Sequence, residues 1–121
     1  MLIDTHAHID MDNYRDNLDD ILNNAKINGV EKIIIPAVEP KTFQRIIDII
    51  EKYDNIYGSV GIHPSDAKEY TDELYPVMLN LAKHPKVVAI GEIGLDYYWD
   101  KTFVEEQKAA FSKQIEIAKK L

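Results

Sequence analysis

The chain has 121 residues, 45% apolar and 29% charged, with no cysteine and a formal net charge of -7. That length suits one domain with a buried core, the missing cysteines exclude disulfides and thiolate metal sites, and the acidic balance argues against a protein that coats nucleic acid through phosphate contacts. No apolar run approaches the roughly 20 residues needed to span a bilayer, and no basic, then apolar, N-terminal segment is visible, so a cytoplasmic protein with no membrane partner is expected. The negative charge leaves room for an enzyme acting on phosphodiesters, because bound cations reverse the local sign.

Residues 2–6 read as a short apolar strand ending in His-x-His. Residues two apart in a strand share a face, so His6 and His8 are expected side by side at the strand end, with Asp4 one layer below. Neutral imidazoles placed this way are a common grip on a divalent metal. Asp4 reads equally as support for that metal shell or as a buried carboxylate bonded to backbone. Residues 14–28 follow as a helix with Tyr14, Leu18, Ile21, Leu22 and Ala25 on one face, closed by Gly29. The acidic run Asp16, Asp19, Asp20 reads as a solvated helix face. Residues 32–35 form a second strand stopped by Pro36. Residues 41–53 form a second helix, with Phe43, Ile46, Ile47 and Ile50 inward.

Residues 56–62 read as a third strand, ending in Gly61-Ile62-His63-Pro64. Thr71 is a candidate cap for a third helix, with Pro76 near its start and Leu74, Val77, Met78 and Leu81 as its apolar face. His84, before Pro85, suits a capping role near that helix's dipole and no chemistry. Residues 87–92 form a fourth strand ending in Glu92. Residues 103–120 form a fourth helix, with Phe103, Gln107, Ala110, Phe111, Ile115 and Ala118 at helical spacing.

Strand–helix alternation four times, in units of about 30 residues, implies an α/β fold with a parallel sheet. It matches four βα units of a (β/α)8 barrel of about 250 residues, hence the first half of one. Residues 1–121 are expected to form that half-barrel with no second domain. His6 and His8 follow strand one, His63 follows strand three, and Glu92 ends strand four. All lie at the carboxyl ends of strands, where parallel sheets carry their chemistry.

The run Leu2-Ile3-Asp4-Thr5-His6-Ala7-His8-Ile9-Asp10 closely resembles the first signature of the TatD family of metal-dependent deoxyribonucleases, within the amidohydrolase-like barrels. Gly61-Ile62-His63-Pro64 and Gly91-Glu92-Ile93-Gly94-Leu95-Asp96-Tyr97 resemble two further blocks, as do Gln107, Phe111, Gln114 and Ala118. The resemblance implies a barrel that hydrolyses DNA phosphodiesters through metal-activated water, with one or two divalent ions (Mg, Mn or Zn) as cofactor. It implies that His6 and His8 ligate one metal, that Glu92 is a catalytic carboxylate shared between two metals, and that His63 is a catalytic residue near the substrate phosphate. Asp96 and Tyr97 would line the mouth and bind substrate. With Tyr98 and Trp99 they offer surfaces on which bases of a single strand could stack.

The family's further metal-binding histidines, and the aspartate of a later Glu-Thr-Asp motif, belong to strands five to eight, which this sequence does not contain. The chain therefore reads as the N-terminal half of a larger barrel, and by itself is expected to be impaired or inactive. Two alternatives share these residues. One is hydrolysis of an ester or amide, such as an aminoacyl-tRNA ester. The other is a non-catalytic half-barrel that self-associates through its exposed sheet edges.

Overall fold

Four β-strands, β1 (Leu2–Asp4), β2 (Val30–Ile35), β3 (Ile56–Val60) and β4 (Val87–Ile90), lie parallel in the order β1-β2-β3-β4. The computed structural model describes residues 1–121. Each strand is followed by a helix: α1 (Leu18–Ile27), α2 (Phe43–Lys52), α3 (Leu74–Leu81) and α4 (Val104–Lys119). Short 3-10 helices at Asp12–Asn17, Pro40–Thr42 and Pro64–Glu69 lead into α1, α2 and the segment before α3. This is the architecture of the first four βα units of a TIM-type barrel. No helix is long and apolar enough to cross a membrane.

The core lies between the sheet and its helices. Ile33, Ile35, Ile56 and Val60 of the strands pack with Phe43, Ile46, Ile47, Ile49 and Ile50 of α2, and Leu18, Leu22, Met78 and Ile117 extend the cluster. The isoleucine spacing in α2 produces a single buried stripe, and β-branched runs favour strands. Each fully buried side chain of this size contributes about 1.5–3 kcal/mol relative to exposure. The other face of the sheet is open: Leu2 is 60%, Ile3 50% and Val88 50% exposed. Along the β4 edge an apolar groove is lined by Val87, Val88, Ala89, Ile90, Ala118 and Leu121. Gly29 ends α1 with φ of 86°, a left-handed conformation that glycine adopts without a side-chain clash.

Several sequence expectations are corrected. β1 stops at Asp4, so His6 and His8 lie in the loop beyond it and are not strand residues. The chain turns there because Asp4 Oδ1 accepts a hydrogen bond from His6 N at 3.0 Å, a local bond that competes with the sheet ladder. Asp4 is also exposed rather than buried. Thr71 caps nothing: α3 begins at Leu74 after a turn, with Glu73 at its N-cap. Val77 is exposed, and Met78 is the buried residue of α3. On α4 the buried stripe is Gln107, Ala110, Gln114 and Ile117, with Ile115 and Ala118 outward. The expected face held Gln107 and Ala110 of that stripe but took Phe111, Ile115 and Ala118 in place of Gln114 and Ile117.

Candidate metal centre

The segment leaving β2, residues 34–38, ties the functional loops together. Ile34 O accepts from Ala7 N at 3.3 Å, between the first two histidines. Ala37 O accepts from Glu92 N at 2.7 Å, and Val38 O accepts from His63 N at 2.8 Å. Ser59, buried at the end of β3, accepts from Ala37 N at 3.2 Å and donates to Gly91 O at 2.5 Å. Gly61 lets the β3 and β4 ends abut: a Cβ there would lie 2.4 Å from the Gly91 carbonyl carbon. The Gly91–Glu92 peptide is cis. Neither Ser59 nor the Ala37–Val38 backbone carried a sequence signal, because both act through peptide bonds that are apparent only once the strand ends are adjacent.

These backbone contacts bring three imidazoles to one carboxylate. His6 Nε2 lies 3.3 Å and His8 Nε2 3.6 Å from Glu92 Oε2, and His63 Nε2 lies 3.5 Å from Glu92 Oε1. The His6 and His8 rings meet edge to face with centroids 5.0 Å apart. No lysine or arginine pairs with Glu92; its ionic neighbours are the three histidines.

His6, His8 and Glu92 can hold a divalent ion: one ligand atom from each lies within 4.8 Å of the others. Bonds of about 2.1 Å at tetrahedral or octahedral angles require ligand–ligand edges of roughly 3.0–3.4 Å. The 3.3 Å edge from His6 falls inside that span and the 3.6 Å edge from His8 lies just beyond it, and two imidazoles with a carboxylate suit a borderline divalent metal. Asp4, through its bond to His6 N, holds the backbone of one of these residues.

His63 stands in a different local setting. Its Nδ1 accepts from Ser65 N at 3.0 Å and faces Ser65 Oγ at 2.7 Å. An Nδ1 that accepts leaves the ring proton on Nε2, which faces Glu92. Asp96 and Tyr97 lie on the β4–α4 loop, and no hydrogen bond joins them to the histidines. Asp96 Oδ1 instead accepts from Tyr98 N at 3.0 Å, and Asp96 shares a small cleft with Pro64, Ser65, Trp99 and Phe103. Tyr98 and Trp99 are each 82% exposed and pack edge to face. Asp10 is buried beside this site. Desolvation, partly offset by His8 and Arg45, raises its pKa above the ordinary carboxylate value. A second acidic group, Glu39, Asp66 and Glu69, lies nearby, with Glu39 paired to Lys41 at 3.2 Å.

The sequence profile of the family described as "TatD related DNase" matches residues 3–121. The chain belongs to that family. It is 43% identical over 121 residues to a metal-dependent hydrolase, YabD, of Bacillus subtilis (strain 168), covering 100% of this chain and 48% of that protein. It is 27% identical over 120 residues to the 3'-5' ssDNA/RNA exonuclease TatD of Salmonella typhimurium, covering 99% of this chain and 46% of that one. The crystal structure of YjjV, a TatD homologue from Escherichia coli K12, superposes with a TM-score of 0.86 at 34% identity, covering 98% of this chain and 47% of the other. This TatD-family chain thus spans about half the length of the curated relatives it matches.

Proposed function

We propose that these 121 residues are the N-terminal half of a single metal-dependent hydrolase barrel that cleaves phosphodiester bonds of single-stranded DNA. The observation that carries the proposal is the convergence of His6, His8 and His63 on Glu92 at the carboxyl end of the sheet. The nuclease name of the Salmonella relative supports the choice of substrate.

In this reading His6, His8 and Glu92 would hold one or two divalent ions, be they Mg, Mn or Zn. A bound divalent cation supplies Lewis-acid polarisation of the phosphoryl oxygen and activation of water at neutral pH. His63 is fixed by Val38 O and Ser65 N, so its Nε2–H is held ready to donate to a phosphate oxygen or to protonate a leaving oxygen. Asp96, Tyr97 and the exposed Tyr98–Trp99 pair form the rim, where stacked bases would be held. The proposed place of action is the cytoplasm, checked by fractionating cells that produce the protein.

We also propose that isolated half-barrels self-associate. A two-fold axis along the barrel axis would set β4 of one copy parallel to β1 of the other and cover the open face around Leu2, Ile3 and Val88. Light scattering should return a dimer; a well-folded monomer would overturn this.

The test of the function is hydrolysis of single-stranded DNA by the purified chain with magnesium or manganese, beside His8→Ala. The expected result is slow cleavage that disappears in the variant. Cleavage that survives His8→Ala overturns the proposal, as does undiminished DNA hydrolysis by a full-length barrel that carries His6→Ala and His8→Ala.

A further inference from the structure

Helix α4 carries two glutamines seven residues apart, Gln107 and Gln114, which are 3% and 1% exposed. Buried polar groups are costly unless bonded, and both of these are fully engaged. Gln114 Oε1 accepts from Ile62 N at 2.7 Å, while its Nε2 donates to Ile62 O at 3.4 Å and to Ala110 O at 3.1 Å. Gln107 Oε1 accepts from Asp96 N at 2.8 Å, and its Nε2 donates to Asp96 O at 2.8 Å. Neither Ile62 nor Asp96 has a backbone partner of its own, since one lies beyond the end of β3 and the other beyond β4. Each amide therefore grips both polar atoms of one residue, as a neighbouring strand would.

The two gripped residues are placed with respect to the site. Ile62 immediately precedes His63, and Asp96 immediately precedes Tyr97 on the rim. Seven residues are about two turns, so both amides leave one face of α4, about 10 Å apart along its axis. A helix is rigid over that distance, and its two grips fix the separation of the loops they hold.

We infer that Gln114 and Gln107 are positioning residues: Gln114 sets His63 against Glu92, and Gln107 sets the Asp96–Tyr97 rim. The inference rests on the reading of His63 and Asp96 as site residues. Gln114 acts on the peptide that enters His63. The next N–H is held by Val38 O and the ring by Ser65 N, so little freedom remains by which Nε2 could leave Glu92. A glutamine that merely satisfied a buried peptide would affect stability alone.

The chain has four histidines, so each ring can be followed separately by NMR, without turnover or metal. Gln114→Met keeps the side-chain volume and removes the three hydrogen bonds. The His63 ring signal should shift and broaden and the Ile62 amide should exchange faster, while His6, His8 and His84 hold their positions. Gln107→Met should leave His63 in place and displace the Tyr97 and Tyr98 signals. A lower melting temperature with His63 unmoved would overturn the inference, as would equal displacement of all four rings. If Gln114→Met does not fold, Gln114→Glu, which keeps an acceptor for Ile62 N, allows the same comparison. Kinetics on single-stranded DNA with manganese provide a second arm. Gln114→Met should lower kcat roughly 10- to 100-fold and cause no further loss in a His63→Ala background, whereas additive losses would overturn the inference. Gln107→Met should act on KM more than on kcat. Because the NMR arm needs no catalysis, failure of the hydrolase reading and failure of this inference remain distinguishable.

Discussion

The chain contains the dipeptide His-Pro twice, at opposite ends of the sheet. His63-Pro64 follows β3 and His84-Pro85 precedes β4. The local chemistry is nearly the same. Nδ1 of His63 accepts from Ser65 N at 3.0 Å, and Nδ1 of His84 accepts from Lys86 N at 3.1 Å. Each Nε2 then meets a glutamate, Glu92 at 3.5 Å and Glu51 at 3.4 Å. The difference is in what else meets that glutamate. Glu92 is also approached by His6 and His8, whereas Glu51 stands on α2 with a side chain 60% exposed and no further partner. Around His84 the polar groups serve the fold: Lys86 Nζ donates to Tyr53 O at 2.5 Å and to Ile50 O, satisfying carbonyls at the end of α2. The His84 backbone N–H donates to Leu81 O at 3.0 Å, but its ring bonds Lys86 N and Glu51 and none of the α3 carbonyls, so the side chain holds the turn into β4. Two identical dipeptides with nearly the same local bonding thus differ chiefly in what tertiary convergence brings to their glutamate.

The largest expected effect breaks the comparison at its carboxyl end. His6→Ala, His8→Ala or Glu92→Ala should each abolish tight manganese or zinc binding by calorimetry, whereas His84→Ala and Glu51→Ala should leave it unchanged. Equal losses at both ends would show that the convergence at Glu92 has no special standing. Next comes chemistry: His63→Ala should retain the metal yet slow DNA hydrolysis by at least about 100-fold, the low end of what a positioned proton donor contributes. His84→Ala should hydrolyse at the parental rate.

A smaller effect sharpens the amino end. Lys86→Met should lower stability in urea by about 1 kcal/mol, because Ile50 O loses its lysine donor and Tyr53 O keeps only Ile56 N, with metal binding unaltered. The smallest concerns Asp10, whose folded pKa lies above its unfolded value, chiefly through desolvation. Its contribution to stability is therefore greatest below the unfolded pKa and falls as pH rises through the folded pKa. In metal-free buffer Asp10→Asn should be more stable than the parent at pH 7, and the gap should close near the ordinary carboxylate range of about pH 4. A gap that widened on acidification would contradict desolvation of that carboxylate.

Much of this layout is legible in the chain itself. The isoleucine-rich strands, the stripe of α2 and the strand–helix period announce a parallel half-barrel, because apolar periodicity and β-branched runs are local properties. The His-x-His pair, His63 and Glu92 stand out because each falls just past an apolar run. Legibility fails where polar residues do the packing. Gln107 and Ala110 stood on the expected face of α4, but Gln114 did not, since its burial depends on the Ile62 peptide, distant in sequence. It fails too at β1, where one Asp4–His6 bond ends the strand early.

Which residue types stand at the strand ends, and that the sheet is parallel, follow from local periodicity and chain order alone. That three histidines share one carboxylate, that His84 does not join them, and that two buried glutamines bond the Ile62 and Asp96 peptides emerge only in the folded chain. Those outcomes depend on backbone groups of separate strands coming within hydrogen-bond reach, which happens only after the sheet has paired.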